Sequence, residues 1–415
     1  MVKVCDAIMG SGKSSAAITY MNEHPDERFI YITPYLEEAN RIKQSCPSLH
    51  FIEPSNRIPE YDFSKCNHIT SLIHDGRNIT STHQLFRKYT NEILEDIQKY
   101  KYHLIIDEDV DMLNSCYFCK DDLNLLIDGG YINKNEDDTL SYTGKEYNGS
   151  LLPLIQAVCG NEAIEIECDD DISPTGNAFY WTLSPELITS FREVTILTYM
   201  FKEQSLCHFL NMYHIPYSYI GIKRSDKFRF CDEFEYTPEY VSHLGDMIDI
   251  LDNDKLNCIG EEHYALSMNW FNQNDNAIKL KNNIYNYINN VWRSIPASDK
   301  MWGSFCNCRT KISGKGYTKS FVPFNIKATN AYRDKHYLVY AANIFMNVNE
   351  KRYYRKYGIT VDDDYYALSI MVQWIWRSAI RDGDKIYLYI PSGRMRSLLI
   401  DWINKTSKEG NKVEK

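Results

Sequence analysis

The chain is predicted to adopt an α/β fold, with parallel sheets and helices on both faces. Short apolar runs of strand character alternate with helical patterns along most of the sequence, and this alternation is typical of parallel sheets. A glycine-rich loop separates the first predicted strand from the first predicted helix. The length of 415 residues is sufficient for two or more domains.

The predicted elements are clearest at the two ends of the chain. Strands are expected at residues 2–6, 29–33, 101–107, 194–198 and 385–390. Helices are expected at residues 14–22, 36–44, 369–380 and 396–404.

Residues 115–190 interrupt the alternation. They contain turns rich in Asp, Asn and Gly, and an acidic cluster from Glu165 to Asp171 that we interpret as a solvated loop rather than a cation site. We therefore predict a subdomain inserted at about 115–190 into a first domain of residues 1–200. Residues 201–405 would form a second domain, and 406–415 a charged, frayed tail.

The composition is that of a folded protein without a membrane span. Hydrophobic residues make up 44% of the chain and charged residues 25%. Twelve cysteines without a regular framework favour reduced thiols and a cytoplasmic location. The net charge is −10, yet residues 301–360 hold eleven Lys or Arg and two Asp or Glu, a local charge of +9. Such a segment is either a phosphate-binding face or an ordinary solvated surface.

Residues 7–14 read Ala-Ile-Met-Gly-Ser-Gly-Lys-Ser and fit a P-loop between a strand and a helix. Glycines allow backbone N–H groups to turn toward phosphate oxygens, and the helix N-terminus adds partial positive charge. Lys13 would reach the β- and γ-phosphates of ATP, and the Ser14 hydroxyl would bind Mg²⁺. The predicted nucleotide-binding residues are Gly10, Ser11, Gly12, Lys13, Ser14 and Ser15.

A pair of carboxylates supplies the second half of a nucleotide site. Asp107 and Glu108 end the apolar strand at 101–107. Asp107 would hold Mg²⁺ with Ser14, and Glu108 would orient or deprotonate the attacking water. A carboxylate in the position of Glu108 favours hydrolysis by water over transfer to another acceptor.

Three polar residues near the C-terminus are spaced four residues apart. Gln373, Arg377 and Arg381 would share one face of the helix predicted at 369–380. Two arginines directed at one point suit a transferring γ-phosphate, whose charge spreads over three oxygens. Because they lie far from the P-loop in sequence, they would come from the second domain, and ATP would close the two domains.

In these residues the chain resembles the superfamily 2 helicases, and in particular the DEAD-like helicases encoded by tailed bacteriophages. The resemblance covers most of the chain. Its ordered landmarks are residues 6–14 (motif I), 32–35 (motif Ia), 80–86 (a strand-binding motif), 107–110 (motif II), 196–199 (motif III), 327–330 (motif V) and 373–381 (motif VI).

The resemblance implies two RecA-like P-loop domains with ATP and Mg²⁺ between them. It also implies single-stranded or forked nucleic acid as the partner, with DNA expected, and a place beside phage replication proteins in the host cytoplasm. Thr33, Thr82 and Thr329 match positions that contact phosphates of the strand.

The sequence departs from the family in two places. Trp376 replaces the Gly that precedes the first arginine of motif VI, and Arg381 lies eight rather than seven positions after Gln373. Arg377 is therefore the better candidate for an arginine finger. An adenine-reading Gln segment has no room before motif I, so the base specificity is open.

Several alternatives remain open. A P-loop nucleoside or nucleotide kinase would also use this loop, although it would not need Glu108. A non-catalytic nucleic-acid-binding protein with a relic ATP site is a third possibility. Aromatic residues interleaved with lysines at 302–327 suit either base stacking or a domain core. The spacing of Cys116 and Cys119 suits zinc, but Cys306 and Cys308 are closer together and far along the chain, so structural zinc is not expected.

Overall fold

A computed structural model describes residues 1–34, 36–136, 139–158, 163–167, 176–273, 275–324 and 331–413. The strands in these residues are β1 Val2–Asp6, β2 Phe29–Thr33, β3 Ile79–Thr82, β4 His103–Asp107, β5 Leu113–Cys119, β6 Ile132–Lys134, β7 Thr139–Tyr142, β8 Ala163–Glu167, β9 Gly176–Thr182, β10 Glu193–Thr198, β11 Tyr217–Tyr219, β12 Gly221–Arg224, β13 Phe228–Cys231, β14 Ile248–Ile250, β15 Lys300–Gly303, β16 Tyr337–Tyr340 and β17 Ile386–Tyr389.

The helices that connect these strands vary from single turns to a long C-terminal helix. In chain order they are α1 Lys13–Glu23, α2 Leu36–Ser45, α3 Lys65–His74, α4 His83–Phe86, α5 Leu94–Tyr100, α6 Lys120–Asp128, α7 Leu152–Val158, α8 Glu186–Thr189, α9 Ser205–Met212, α10 Leu244–Met247, α11 Asp254–Asn257, α12 Asn276–Asn286, α13 Arg309–Ile312, α14 Val348–Lys356, α15 Asp363–Ile375 and α16 Gly393–Val413.

The first sheet has six strands in the order β11-β1-β10-β4-β2-β3, and every neighbouring pair is parallel. Strands β2 and β4 are buried along their whole length, as expected for central strands covered on both faces. Because β1 and β4 are parallel and flank β10, the loops that follow them emerge at the same edge of the sheet. This places the glycine-rich loop beside Asp107 and Glu108.

The inserted subdomain lies between β4 and β10 and is built differently. Its five strands are antiparallel in the order β5-β9-β8-β7-β6, and α6 and α7 pack on them. Its strands run from residue 113 to residue 182, close to the predicted 115–190. Of the predicted acidic cluster, residues 168–171 lie outside the described part of the chain.

The first sheet extends past the boundary predicted at residue 200. Strand β11 pairs with β1, with Val4 opposite Tyr219, so residues 217–219 belong to this sheet. The next segment, β12 and β13, forms a separate antiparallel hairpin beside α1. The prediction from sequence missed this extension because β11 is only three residues long.

The second sheet has four parallel strands in the order β14-β17-β16-β15. Helix α15 begins where the Asp362 side chain accepts hydrogen bonds from the backbone N–H groups of Asp364 and Tyr365. It ends at Ile375, five residues before the predicted end. Helix α16 continues to Val413, so the tail predicted after residue 405 is helical through that residue.

The predicted fold class is confirmed: the protein is α/β, with two parallel sheets. Each sheet and the helices around it are called a unit below, and the subdomain is inserted into the first unit. Helix α14 of the second unit also packs on the inserted subdomain, where the buried rings of Tyr353 and Tyr180 lie 5.9 Å apart. No helix in the described residues combines the length and the apolar character needed to cross a bilayer.

Candidate functional site

The glycine-rich loop joins β1 to α1 in the conformation expected of a phosphate-binding turn. Gly10 and Gly12 have φ of 77° and 88°, a region that glycine enters without steric cost. The Lys13 ammonium donates hydrogen bonds to the carbonyl oxygens of Ala7 and Ile8, the latter at 3.2 Å. Burial lowers the pKa of Lys13. The loop therefore surrounds a cation, and Ser14 and Ser15 follow in the first turn of α1.

Asp107 lies at the end of β4 beside this loop. Its Oδ2 atom is 3.4 Å from Oγ of Ser14 and accepts a hydrogen bond of 3.0 Å from the Tyr31 hydroxyl. Burial, with the nearby charges of Glu108 and Glu38, raises the pKa of Asp107 to about 7. A hydroxyl and a buried carboxylate at this spacing are the oxygen donors that Mg²⁺ takes, and a bound cation would relieve the cost of burying this carboxylate. These residues fit a metal.

Glu108 adopts a backbone conformation that is uncommon for a residue other than glycine. Its φ is 64°, and its backbone N–H donates to the Leu197 carbonyl at the end of β10, at 2.9 Å. Left-handed φ values at non-glycine residues cluster at functional sites, where the surroundings hold the strain. The bond to β10 holds the main chain in this conformation, and the side chain is directed toward the second sheet.

Arg377 is the partner that Glu108 meets across the cleft. Nη2 of Arg377 lies 3.1 Å from Oε1 and 3.4 Å from Oε2 of Glu108. The arginine is only 7% exposed, and within the described part of the chain its Nε has no hydrogen-bond partner. A buried donor without an acceptor is costly, and an anionic ligand entering the cleft would satisfy it. The residues fit a phosphate group at this point.

The three residues predicted on one helical face meet in the cleft by a different route. Only Gln373 lies in α15; Arg377 follows the helix end, and Arg381 belongs to a 3₁₀ turn at Ala379–Asp382. The predicted continuous helix is therefore wrong. The turn is fixed instead by long-range bonds, such as the one from the Ala379 N–H to the Lys335 carbonyl at 3.0 Å.

One cleft of about 490 Å³ contains the predicted nucleotide residues together with others that were not predicted as site residues. Gly10, Gly12, Lys13, Ser14, Ser15, Asp107, Glu108, Gln373, Arg377 and Arg381 all line it, while Ser11 lies in the loop and is buried. The additional lining residues are Met9, Glu37, Glu38, Arg41, Leu197, Thr198, Tyr199, Phe228, Tyr240, Arg333 and Trp376. The aromatic residues among them gave no signal in a chain with 32 tyrosines.

Two of the three predicted strand-contacting residues, Thr33 and Thr82, lie at the carboxyl ends of β2 and β3 in the first sheet. Thr33 ends β2 and is fully buried, so a phosphate there would have to meet the backbone rather than the side chain. The Thr82 hydroxyl accepts a hydrogen bond from the Leu85 N–H and caps α4. Thr329 lies outside the described residues. His83 contacts the Asp107 carbonyl at 2.8 Å, which is a structural role.

The aromatic segment at 302–327 mostly belongs to a core. Trp302 and Tyr317 are 0% and 1% exposed, and the Trp302 indole N–H donates to the Tyr317 carbonyl. Neither ring is available to a base, because both pack inside the second unit. Exposed lysines remain on the same segment. In the described part of the chain, no three His, Cys, Asp or Glu side chains are grouped as metal ligands.

Comparisons with known proteins identify a family and a set of similar folds. Residues 242–403, which contain the second sheet and Arg377, match the family described as the YonV C-terminal Rossmann-like domain. Among solved structures, Xpd4 of S. tokodaii is similar over 97% of this chain and 94% of that one, with 13% identity and a TM-score of 0.47. A structure described as an XPD helicase covers 98% and 94%, with 8% identity and a TM-score of 0.43.

A relative from Bacillus subtilis strain 168 is similar along nearly the whole length. It is described as SPbeta prophage-derived uncharacterized protein YonV, and it is 38% identical over 416 residues, covering 97% of this chain and 98% of the relative. The chain therefore belongs to the YonV family.

Proposed function

We propose that this protein is an ATP-dependent helicase or translocase of the superfamily 2 type, which couples ATP hydrolysis to movement on single-stranded nucleic acid. The observation that carries this proposal is the contact of Arg377 with Glu108. An arginine from the second unit reaches the carboxylate beside the P-loop, and this is the arrangement required if ATP closes two domains and hydrolysis releases them.

In this proposal the first unit holds the triphosphate. Backbone N–H groups at Gly10–Ser15 surround the phosphates, and Lys13 exchanges its loop carbonyl acceptors for phosphate oxygens. Ser14 and Asp107 would hold Mg²⁺, with Tyr31 orienting the carboxylate. These residues would thereby bring a positive charge that neutralises the phosphates.

Glu108 and Arg377 then act on opposite sides of the reacting centre. Glu108 orients the attacking water and accepts its proton. Arg377, with Arg381 and Gln373 beside it, stabilises the charge that develops on the γ-phosphate oxygens. The arginine is paired with Glu108, so binding of a γ-phosphate to Arg377 would exchange one anionic partner for another. This exchange links the occupancy of the cleft to the positions of the two units.

The domain division and the biological setting are parts of the same proposal. We place the boundary between β11 and β14, with the β12–β13 hairpin in the connection. The strand would cross the carboxyl edges of the two sheets near Thr33 and Thr82, contacting main-chain groups and exposed lysines. The prophage-derived description of the relative supports a phage origin, and we propose a role in phage replication or recombination in the host cytoplasm.

Phosphate release from ATP, with and without single-stranded DNA, tests the proposal directly. We expect turnover to rise strongly when DNA is added and to vanish in Glu108→Gln, while that variant still binds ATP. Binding without turnover is the expected result because the substitution removes the proton acceptor and keeps the side-chain volume.

Two other outcomes would contradict the proposal in different ways. Transfer of label from ATP to an added nucleoside, with no phosphate release, would indicate the kinase alternative. Turnover that ignores both DNA and RNA would retain the ATPase and remove the nucleic-acid motor.

A further inference from the structure

Each of the two glycines of the P-loop is covered by an aromatic ring from the connection between the units. A Cβ atom added to Gly12 would overlap the ring of Phe228, and one added to Gly10 would lie 3.6 Å from Cε1 of Tyr240. Both rings line the cleft together with the loop. The space next to the phosphate cradle is therefore bounded by aromatic surface.

The position of Phe228 is fixed by the rest of the hairpin. Arg229, its neighbour in β13, forms an ion pair of 3.1 Å with Glu23 at the end of α1. Phe230 lies on the same strand with its ring 6.3 Å from that of Tyr20, also in α1. The hairpin is thus anchored on the helix that begins with the P-loop, and Phe228 moves with that loop.

The neighbours of Phe228 form an aromatic and cationic cluster. The Tyr236 ring lies 5.3 Å from the Phe228 ring in an edge-on arrangement. The guanidinium of Arg224 lies over both rings, 5.1 Å from the centroid of Phe228 and 5.6 Å from that of Tyr236. Arg224 is exposed and donates a hydrogen bond of 3.3 Å to the Tyr236 hydroxyl, so a planar group bound against Phe228 would displace the guanidinium, which could then lie on the outer face of that group.

We infer that Phe228, with Tyr240 beside it, forms the platform on which the nucleobase of the triphosphate stacks. The inference rests on the proposed function, because it takes the phosphate position from the P-loop. A base lies one ribose beyond the α-phosphate, and Phe228 is the ring that adjoins the last glycine of the loop. A planar base between Phe228 and Arg224 would have both of its faces shielded from water, one by the ring and the other by the guanidinium.

This platform also indicates the class of nucleotide. Aromatic faces carry no hydrogen-bond code, and the Tyr240 hydroxyl already donates to the Met9 carbonyl. Stacking favours the larger ring system, so purine triphosphates should bind better than pyrimidine triphosphates. Discrimination between ATP and GTP should be weak, because it requires groups that read the edge of the base.

The test separates the base from the phosphates by comparing two ligands. Calorimetric titration in Mg²⁺ would measure the affinity for a non-hydrolysable ATP analogue and for inorganic tripolyphosphate, which has no base. In Phe228→Ala we expect the affinity for the ATP analogue to fall at least about fivefold, the lower end of what a base–aromatic stack contributes. The affinity for tripolyphosphate should stay unchanged. Phe228→Trp should bind both ligands as the wild type does.

Phe230→Ala is the matched control, since it removes a ring from the same strand that packs on Tyr20 instead of the loop. Equal losses for both ligands in Phe228→Ala, or the same loss of analogue binding in Phe230→Ala, would overturn the inference and indicate that the hairpin only supports the loop. If the wild type binds neither ligand, the nucleotide site itself is wrong. If it binds both and Phe228→Ala leaves the analogue unaffected, only the platform is wrong.

Discussion

The two halves of the proposed nucleotide cleft hold their charged groups in opposite ways. In the first unit, Asp107 is held by neighbours of its own domain, with Tyr31 on the adjacent strand and Ser14 in the helix that follows the loop. In the second unit, the Arg377 side chain forms its ion pair across the cleft, with Glu108 of the first unit. The partners of Asp107 thus come from its own unit, whereas the ion pair of Arg377 depends on contact between the two units.

If ATP closes the two units as proposed, this difference indicates where the energy of closure would act. Rearranging the groups around Asp107 would disturb a buried network inside one sheet. Arg377 would change partners by a movement of the second unit alone. We therefore expect substitutions in the second unit, at Arg377 above all, to lower turnover strongly. The affinity for nucleotide should change little, because the first unit binds the phosphates.

Arg377→Ala should have the largest effect. We expect turnover to fall by about 10³-fold, the lower range for loss of an arginine that stabilises phosphoryl transfer. The affinity for ATP should change little, because Lys13 and the loop remain. Steady-state phosphate release with a parallel binding titration measures both quantities.

Arg381→Ala serves as the comparison for Arg377→Ala. Arg381 lines the same cleft, but it is exposed and lies in the 3₁₀ turn, so its removal should cost less. Equal effects of the two substitutions would mean that closure positions the pair as a unit. Normal turnover in Arg377→Ala would remove the two-domain mechanism.

The half of the site in the first unit was predictable from sequence because its parts are local. A strand, a glycine turn and a helix follow one another within residues 2–23, and Asp107 ends an apolar run that can only be a buried strand. Parallel pairing then brings the two loops to one edge. Tyr31 was missed because a tyrosine in a buried strand is more often a packing residue.

The second half was predicted in composition but not in conformation. The spacing of Gln373, Arg377 and Arg381 suggested one helix, whereas α15 stops at Ile375. The stop depends on contacts remote in sequence, such as the Lys335 carbonyl that binds the Ala379 N–H. Helical periodicity cannot report such contacts, and tertiary bonds override propensity at helix ends. The proposed stacking platform also depends on a contact between residues far apart in sequence, because Phe228 lies against Gly12.

Another contact between the units, away from the cleft, extends the comparison to stability. Glu203 and His208 of the first unit are 4% and 2% exposed, with Oε2 and Nε2 3.4 Å apart. The His208 ring lies 4.5 Å from Tyr354 of α14, and the Asp362 N–H reaches Glu203. Burial raises the pKa of Glu203 to about 7 and lowers that of His208 to about 4.

These two shifts oppose each other in their effect on stability. The raised carboxyl pKa contributes stability that is complete below pH 4.5 and lost as the pH rises through about 7. The lowered imidazole pKa contributes stability that is complete above pH 6.5 and lost as the pH falls through about 4. Between about pH 5 and 6.5 the folded pair and the unfolded pair each carry one proton, so the pair adds no pH dependence.

Glu203→Gln should make the free energy of unfolding depend on pH in this range. The folded state then holds no proton on the pair while unfolded His208 holds one, so the free energy of unfolding should rise by about 2 kcal/mol between about pH 5 and 6.5. His208→Gln should give the opposite slope over the same range. Urea denaturation at the two pH values measures this. Parallel slopes in the two variants would show that the residues do not titrate as a buried pair.

Tyr31→Phe should have the smallest effect and tests whether the first half is self-contained. The hydroxyls of Tyr31 and Ser14 both contact Oδ2 of Asp107. Removing the Tyr31 hydroxyl leaves one of these two contacts, so the carboxylate is held less firmly. We expect the Mg²⁺ concentration for half-maximal turnover to rise about tenfold, the low end for loss of a residue that orients a metal ligand.

Tyr102→Phe is the control for Tyr31→Phe. It removes the hydroxyl of another fully buried ring, which donates to the Arg77 carbonyl at 2.6 Å, remote from the cleft residues. Both variants should lose similar stability, but only Tyr31→Phe should change the Mg²⁺ requirement. If both change it equally, the metal dependence follows general loosening of the first sheet. If neither variant changes the Mg²⁺ requirement, the Tyr31 hydroxyl has no part in positioning the metal, and the loop alone positions it.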